Sequence, residues 1–349
     1  MTMDKAASSR RRNAPAKANQ SSARMSDVAK IAGVSAMTVS RAIHDPKSVT
    51  LETMNKIQQA IAASGYVPNR IARSLASQHT NIVGLVVPSL RNSLFAETIQ
   101  GVADILGSSF DLLIADSGYS LKGEEAAVLA FLSQRVCGIV MHNTKHTQRT
   151  RRMVQNAGIP SVETGNLLPQ PIDMSVGFSN HDAACAMTEY LIGKGYRRIG
   201  FVSLILRDND RASERRRGYL TALSRHRIKA VDARMLEVPP GLRSGGMALV
   251  QLVEGPGVDA VFLTGDVLAT GALLEANRRG WAVPGRVAIA GSDDSELQEC
   301  VNPPLTTLRF PRYEIGRRAA GMLLDRLQGR SQGAASLDLG YEIIERGSV

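Results

Sequence analysis

Residues 25–43 read MSDVAKIAGVSAMTVSRAI, and this stretch decides how the N-terminal part of the chain folds. After a polar start, small apolar residues recur at helical spacing over residues 28–32. Gly33 interrupts that run, and Ser35 can cap a second helix with its hydroxyl. The stretch therefore predicts two short helices joined by a turn.

The two faces of the second helix differ in chemistry. Val39, Ala42 and Ile43 fall on one face, which can pack against other helices. The turn and the opposite face supply the candidate DNA contacts, which are Ser35, Ala36, Met37, Ser40, Arg41 and His44. An α-helix fits the major groove, where an arginine can hold guanine O6 and N7 while small side chains allow close approach. The alternative is a helical hairpin without a nucleic-acid partner.

A third helix follows in the sequence TLETMNKIQQAIAASGY, residues 50–66. Met54, Ile57 and Ile61 lie at three-to-four spacing, and Gly65 can end the helix. Helices this short bury enough apolar surface only if all three contribute to one core. The sequence therefore predicts a three-helix unit.

This unit and the segment after it resemble the lactose-galactose repressor (LacI-GalR) family. The resemblance rests on DVAKIAGVSAMTVSRAI, on the junction GYVPNR and on the later RSLA. It implies a helix-turn-helix DNA-binding domain and a hinge helix over residues 69–76 that forms on operator DNA. In that hinge it implies DNA contacts by Asn69 and Arg70, and a minor-groove wedge at Leu75. The alternative for Leu75 is packing on the core.

Charge is distributed unevenly along the 349 residues. Residues 1–80 hold 12 Lys and Arg against 4 Asp and Glu, whereas residues 81–349 hold 30 against 28. The basic excess of the N-terminal part favours a polyanionic partner, with Arg24 and Lys30 as candidate phosphate contacts. Residues 1–24 have almost no large apolar side chains, which predicts a disordered tail.

Two absences predict a cytoplasmic protein. No apolar segment follows the basic start as it would in a signal sequence, and no apolar run is long enough to cross a membrane.

The three cysteines, Cys137, Cys185 and Cys300, are an odd number without a CxxC pair. This pattern favours reduced thiols over a disulfide framework.

From residue 81 onward, short apolar runs alternate with amphipathic helices. Such runs predict strands buried on both faces of parallel sheets, with the helices as crossovers of an α/β fold. The predicted strands are IVGLVVP (82–88), DLLIA (111–115), GIVM (138–141), PSVE (160–163), RIGFVS (198–203), AVFLT (260–264) and VAIAG (287–291). The family resemblance implies two lobes like those of periplasmic binding proteins, three chain crossings between them and a ligand cleft.

The expected organisation has three parts. Residues 1–24 form the tail, residues 25–79 form the DNA-binding domain with its hinge helix, and residues 80–349 form the effector-binding and dimerisation domain.

Polar residues follow the ends of several predicted strands, where ligands bind in parallel sheets. The candidate effector-binding residues are Ser89, Asn92, Phe95, Arg215, Asp266 and Asp293. By position, Arg215 matches the family arginine three residues before a Gly-aromatic pair, and Asp293 matches the family's ligand-binding carboxylate. Helix capping is the alternative role for Asp266 and Asp293. Two departures from the family pattern leave contacts open, because Gly265 replaces a frequent asparagine and Ser292 an aromatic residue.

Enzyme motifs are absent from the sequence. It contains no GxSxG elbow, no GxxxxGK[ST] loop and no strand-linked GxGxxG. His142 and His146 form an HxxxH pair, but no third ligand follows, which favours two solvated loop histidines over a zinc site. Neither a metal nor a cofactor is expected. The alternative to a DNA-binding regulator is a free-standing sugar-binding protein of periplasmic type.

Within the family, several stretches are most similar to repressors of gluconate utilisation. These are PSL with Asn92 and FAE near residues 88–97, HT and RT in 146–150, AGIP in 157–160, VGF with Asn180 in 176–180, and LDLG in 337–340. The resemblance implies a sugar-acid effector such as gluconate or 2-ketogluconate. A neutral sugar and a purine are the alternatives.

One recognition helix covers only a few base pairs, so two are needed for useful discrimination. A homodimer on a pseudo-palindromic operator is therefore expected. No leucine-rich heptad tail follows the last predicted strand, so no tetramer is expected. Effector binding is expected to release DNA, with Arg215 and Ser89 bridging the closed cleft. The alternative is a corepressor, as in purine-responsive relatives.

Overall fold

The structure is a computed structural model that describes three ranges of the chain, residues 23–67, 80–332 and 335–349. The chain divides into two compact units, with the boundary after residue 77. The predicted tail before residue 23 and the predicted hinge helix lie outside the described ranges. So do three candidate DNA contacts, Asn69, Arg70 and Leu75.

In the part of the first unit that the structure describes, three α-helices form, as the sequence predicts. They are α1 (Met25–Ala32), α2 (Ala36–His44) and α3 (Leu51–Ser64). The Ser35 hydroxyl caps α2 by accepting a hydrogen bond from the Thr38 backbone N–H at 3.0 Å. Gly33 and Gly65 end α1 and α3 with positive φ angles of 68° and 64°, a conformation that costs glycine little.

One apolar core holds these three helices together. Its buried members are Val28, Ala29, Val39, Ala42, Ile57 and Ala60. Every helix contributes, which confirms the prediction of one shared core. Because Val39 and Ala42 point into it, α2 leaves Met37 and Arg41 exposed on its opposite face.

The second unit contains two lobes. The first part of the chain forms β1 (Ile82–Val87), α4 (Leu94–Leu106), β2 (Asp111–Asp116), α5 (Leu121–Ser133), β3 (Gly138–Met141), α6 (Gln148–Ala157), β4 (Ser161–Thr164) and β5 (Met174–Gly177). The middle part forms α7 (Asn180–Gly193), β6 (Ile199–Leu204), α8 (Asp210–Arg225), β7 (Met235–Val238), α9 (Leu242–Glu254), β8 (Ala260–Leu263), α10 (Asp266–Arg278), β9 (Ala288–Ser292), α11 (Glu296–Cys300) and β10 (Thr306–Arg309). The last part forms α12 (Arg312–Leu327), β11 (Ala335–Asp338) and β12 (Glu342–Ile344).

Each lobe is built on one sheet, with six strands in the described residues. The first sheet has the order β11-β5-β4-β3-β1-β2 and is parallel throughout. The second has the order β12-β10-β9-β8-β6-β7, with β12 antiparallel to β10. The chain therefore crosses between lobes after β5, after β10 and after β11. This confirms the two-lobe α/β fold and its three crossings.

Strand β2 corrects the prediction that all the apolar runs are buried on both faces. It is the edge strand of its sheet, and Asp111, Ile114 and Asp116 are exposed. Five short strands, β5, β7, β10, β11 and β12, extend the sheets beyond the predicted runs.

Cys137 and Cys185 are buried, Cys300 is exposed, and all three are free thiols.

Glycines bring α4 and α12 into close contact. A Cβ atom at Gly101 would lie 2.2 Å from the Tyr313 carbonyl oxygen, and one at Gly316 would lie 2.1 Å from that of Thr98. No side chain fits at either position, so the backbones can approach closely. This packing fixes the start of α12, which lies at the cleft between the lobes.

No helix in the described ranges is long and apolar enough to span a membrane.

Candidate DNA-binding surface and effector cleft

The candidate recognition surface lies on α2. Ala36, Met37 and Arg41 are exposed and Ser40 is half-buried, whereas the side chain of His44 lies outside what the structure describes. An exposed arginine with small neighbours can approach the base edges in a major groove and donate hydrogen bonds to them.

Two basic residues near α1 are exposed as well. These are Arg24 and Lys30, the candidate phosphate contacts. The backbone N–H of Arg24 donates to the Asp27 carboxylate at 2.8 Å, which fixes the start of the helix. At the start of α2, the Ser35 hydroxyl is already engaged in capping and also lies 2.8 Å from the Thr38 hydroxyl.

A cleft opens between the two lobes of the second unit. The space within it is about 840 Å³ when the open mouth is counted, of which about 100 Å³ is open to the centre of a water-sized sphere. Five of the six candidate effector residues line it, namely Asn92, Phe95, Arg215, Asp266 and Asp293. Ser89 is not among the described residues that line it, and its hydroxyl accepts from the Arg91 backbone N–H at 3.2 Å.

Arg215 is held in place by the second lobe. Its Nε donates to the Asn180 side-chain oxygen at 2.8 Å, and its Nη1 donates to the Thr264 carbonyl at 3.1 Å. The guanidinium also lies 5.1 Å from the centre of the Phe310 ring. Its Nη2 is 3.8 Å from Asp293 Oδ1. The second lobe therefore holds this arginine through two of its five N–H donors.

Asp293 lies in a tight turn directly after β9. Its φ is 86° and that of Asp294 is 45°, which are strained values for residues with a side chain. Asp294 pairs with Arg309 at 2.6 Å and with Arg346 at 2.7 Å, which holds the turn. Ser292 donates its hydroxyl to Asp293 at 3.1 Å. The serine that departs from the family pattern thus orients the carboxylate.

Asp266 is the first residue of α10, directly after Gly265. Burial raises the pKa of Asp266 to about 6, and the charge of Asp293 adds to the effect. A Cβ atom at Gly265 would lie 3.8 Å from the Leu268 side chain, an ordinary van der Waals contact, so a side chain could be accommodated where the family often has asparagine. The N-cap residues of α10 and α11 are Gly265 and Ser295. Neither aspartate therefore occupies a cap position.

The side chains that line the cleft without having been predicted as effector contacts include Arg211, Arg312 and His142. Arg211 on α8 donates from Nη1 to the His142 carbonyl at 2.7 Å. Arg312, the first residue of α12, has its Nη2 3.8 Å from Asp293 Oδ1. His142 is buried rather than solvated, and burial together with the nearby arginines lowers its pKa well below the ordinary value, so its ring is neutral. Strand β10, which ends shortly before Arg312, was not predicted from the sequence. For this reason no effector-binding residue was expected at its carboxyl end.

His146 is also buried, which corrects the expectation of a solvated loop residue. Its Nδ1 lies 2.6 Å from Glu124 Oε1, and its Nε2 lies 2.9 Å from Glu163 Oε1. Burial lowers its pKa, but the two carboxylates outweigh burial and raise it to about 9. The protonated ring therefore anchors the loop after β3. In that loop, the Thr144 N–H donates to Asp210 of the second lobe at 3.0 Å.

The charged residues that line the cleft are three arginines and two aspartates, namely Arg211, Arg215, Arg312, Asp266 and Asp293. The lining is therefore positive by one charge when both aspartates are ionised. Among the described residues, no cluster of His, Cys, Asp and Glu could hold a metal ion.

A helix-turn-helix unit joined to a two-lobed core with a polar cleft is the architecture of a DNA-binding regulator that responds to a small molecule. Residues 24–69 match the family model of bacterial regulatory proteins, lacI family, and residues 188–349 match a periplasmic binding protein-like domain. The HTH-type transcriptional regulator GntR of Pseudomonas aeruginosa is 36% identical over 93% of this chain and 95% of its own length.

Solved structures agree with these matches. A LacI-family transcriptional regulator from Silicibacter pomeroyi has a TM-score of 0.88 and 30% identity, and covers 93% of this chain and 99% of its own. The lac repressor dimer bound to operator and the anti-inducer ONPF has a TM-score of 0.80 and 25% identity, covering 94% and 99%. The chain belongs to the LacI family and is a DNA-binding transcriptional regulator, not an enzyme. The alternative of a free-standing sugar-binding protein is thereby set aside.

Proposed function

We propose that this chain represses genes of sugar-acid utilisation and leaves its operator when a sugar acid such as gluconate or 2-ketogluconate binds in the cleft. The observation that carries the proposal is the excess of arginine over aspartate in the cleft lining. An anion offsets the cost of burying cations that lack a full set of partners. The carboxylates of Asp266 and Asp293 supply acceptors for the hydroxyls of a sugar. Similarity to the regulator named GntR supports the same assignment.

On DNA, Arg41 reads base edges from the exposed face of α2, while Arg24 and Lys30 contact phosphates. The surrounding contacts of the proposal are Ser35, Ala36, Met37, Ser40 and His44 on the helix-turn-helix, and Asn69, Arg70 and the wedge Leu75 in the hinge. Residues 25–79 form the DNA-binding part and residues 80–349 the effector-binding part. Action on chromosomal DNA implies a cytoplasmic location.

The proposal includes a homodimer, like the operator-bound lac repressor. Large apolar side chains are exposed on the adjoining helices α9 and α10. Leu242 is 44% exposed, Met247 is 66% exposed and Leu274 is 46% exposed. Exposed apolar patches of this kind mark interfaces, and a second copy of the chain would cover this one. Two recognition helices related by a two-fold axis fit a pseudo-palindromic operator.

The test uses a labelled operator duplex that the full-length protein selects from a random library. Fluorescence anisotropy follows the complex while gluconate, 2-ketogluconate, glucose or hypoxanthine is added. Release by an acid, with no effect of glucose or hypoxanthine, is the expected result. Release by glucose alone would overturn the sugar-acid assignment. Tighter operator binding on addition of an acid would make this protein a corepressor-dependent regulator.

A further inference from the structure

Arg312 has hydrogen-bond donors that the protein leaves without an acceptor. Its side chain is only 10% exposed, and its Nε and Nη2 are buried with no hydrogen-bond partner among the described residues. The closest carboxylate oxygens are Asp293 Oδ1 at 3.8 Å from Nη2 and Glu97 Oε2 at 4.0 Å from Nη1. Both distances are too long for hydrogen bonds. Because buried donors without acceptors are costly, they point to a ligand.

The two open donors have a specific geometry. Nε and Nη2 lie on the same edge of the planar guanidinium, so their N–H bonds run nearly parallel. This edge matches the two oxygens of a carboxylate in a bidentate pair. A neutral hydroxyl has one oxygen and fills only half of this edge.

The other two arginines of the cleft each donate at least one hydrogen bond to the protein. Arg215 donates from both Nε and Nη1 to groups of the second lobe. Arg211 donates to a backbone carbonyl in the loop after β3, and its Nη1 lies 3.7 Å from the Asp210 carboxylate. Of the three lining arginines, Arg312 is the one with two buried and unpartnered donors.

We propose that Arg312 is the carboxylate anchor of the cleft and holds the acid group of the effector through Nε and Nη2. This inference rests on the proposed function, in which the effector is a sugar acid. It assigns the carboxylate to Arg312, whereas Arg215 is the arginine that the sequence predicted as an effector contact. Asp293, which is close to both arginines, accepts a hydrogen bond from a neighbouring hydroxyl.

The placement also explains how a small ligand could connect the lobes. Arg312 begins α12, which packs on α4 and on the sheet of the first lobe. Asp293 follows β9 of the second lobe. A sugar acid with its carboxylate on Arg312 and its hydroxyls on Asp293 therefore binds both lobes at once. A neutral sugar would lack the first of these two attachments.

Titration calorimetry of the full-length protein with two probes tests the assignment. Gluconate carries the carboxylate, and D-glucitol has the same six-carbon chain with a CH₂OH group in its place. Wild-type protein should prefer gluconate by roughly 100-fold, as expected for a charged bidentate pair. Arg312→Gln should remove most of this preference by weakening gluconate binding alone. Arg312→Lys keeps the charge but loses the two-donor edge, and should give an intermediate preference.

Arg318→Gln is the matched control, because Arg318 lies on the same helix, is exposed and pairs with Glu314. It should retain the wild-type preference. Thermal unfolding of each variant shows whether it is folded. If Arg312→Gln does not fold, the preference of Arg312→Lys for gluconate over D-glucitol is compared with that of the wild type instead. An equal loss of affinity for both probes in the Arg312 variants would overturn the assignment. So would a preference that survives in them and disappears in Arg215→Gln. A wild-type protein that binds neither gluconate nor 2-ketogluconate would instead overturn the proposed function, and this inference with it.

Discussion

Asp266 is buried beside a second carboxylate, and this position makes its ionisation costly. Its pKa rises from an ordinary 3.8 to about 6, chiefly through burial and then through the charge of Asp293. The folded protein therefore holds this proton more tightly than the unfolded chain does. The resulting stabilisation is fully present below the unfolded pKa and is lost as the pH rises through about 6.

Asp266→Asn should remove this pH dependence, because the amide stays neutral. At pH 8 the variant should be more stable than the wild type by roughly 1–3 kcal/mol, and the difference should vanish as the pH falls to about 4. Urea unfolding at pH 4, 6 and 8 measures it. A stability difference that is the same at all three pH values would contradict this account of Asp266.

Arg41 is the exposed cation of the recognition face, and its guanidinium matches the acceptors of guanine. Arg41→Ala should cost roughly 1–3 kcal/mol of binding free energy on the operator and little on random duplex DNA. Lys30→Ala is the comparison, since a lost phosphate contact weakens both duplexes alike. Anisotropy titrations at one salt concentration measure the affinities of the wild type and of both variants for the two duplexes. Equal weakening by Arg41→Ala on both duplexes would show that Arg41 contacts only the backbone.

At the scale of elements, helix α12 determines where Arg312 lies. Gly316 lets the backbone of α12 approach α4, because a Cβ there would lie 2.1 Å from the Thr98 carbonyl. Gly321, five residues along the same helix, has no atom within 4 Å of its virtual Cβ. Alanine substitutions at the two positions therefore separate the effect of helix packing on stability from the effect of helix propensity.

Gly316→Ala should lower the free energy of unfolding by roughly 1–3 kcal/mol and weaken gluconate binding, because α12 must move away from α4. Gly321→Ala should leave binding unchanged and raise stability by up to about 1 kcal/mol, the usual gain for alanine in a helix. Chemical denaturation and calorimetry on both variants give the comparison. Equal stability of the two variants would mean that the helix contact tolerates a methyl group.

A comparison of predicted and observed elements shows which parts of the fold can be predicted from the sequence alone. Long apolar runs such as 82–88 and 260–264 predict sheet strands, because burial on both faces leaves an unmistakable pattern. The short strand β10 leaves no such pattern, and Arg312 just after it was therefore not recognised as a cleft residue. His146 was not recognised as buried because its partners Glu124 and Glu163 are 22 and 17 residues away. Pairings across such distances become visible only in the folded chain.

At the scale of the whole molecule, described contacts join the two lobes of the second unit. Arg211 donates to the His142 carbonyl, the Thr144 N–H donates to Asp210, and Arg312 lies 3.8 Å from Asp293. A ligand shifts such a structure only through its different affinity for two lobe arrangements. We propose that the lobe arrangement with the higher affinity for effector is the one with the lower affinity for operator DNA.

The exposed patch on α9 and α10 makes a prediction about assembly. Light scattering at micromolar concentration should give the mass of two 37.5 kDa chains for the wild type. Met247→Asp should give one chain and weaker operator binding, because a charge in an apolar interface is costly. Leu129→Asp, an exposed apolar residue of α5 outside the patch, should remain dimeric. A wild-type mass of four chains would contradict the proposed dimer.

We propose that the cleft and the DNA-binding unit are coupled, and coupling between two binding sites is reciprocal. The most direct measurement is the affinity for gluconate of the free protein and of the same protein saturated with operator. We expect operator to weaken gluconate binding by the same factor as gluconate weakens operator binding. Equal gluconate affinities with and without operator would show that the two sites are not coupled.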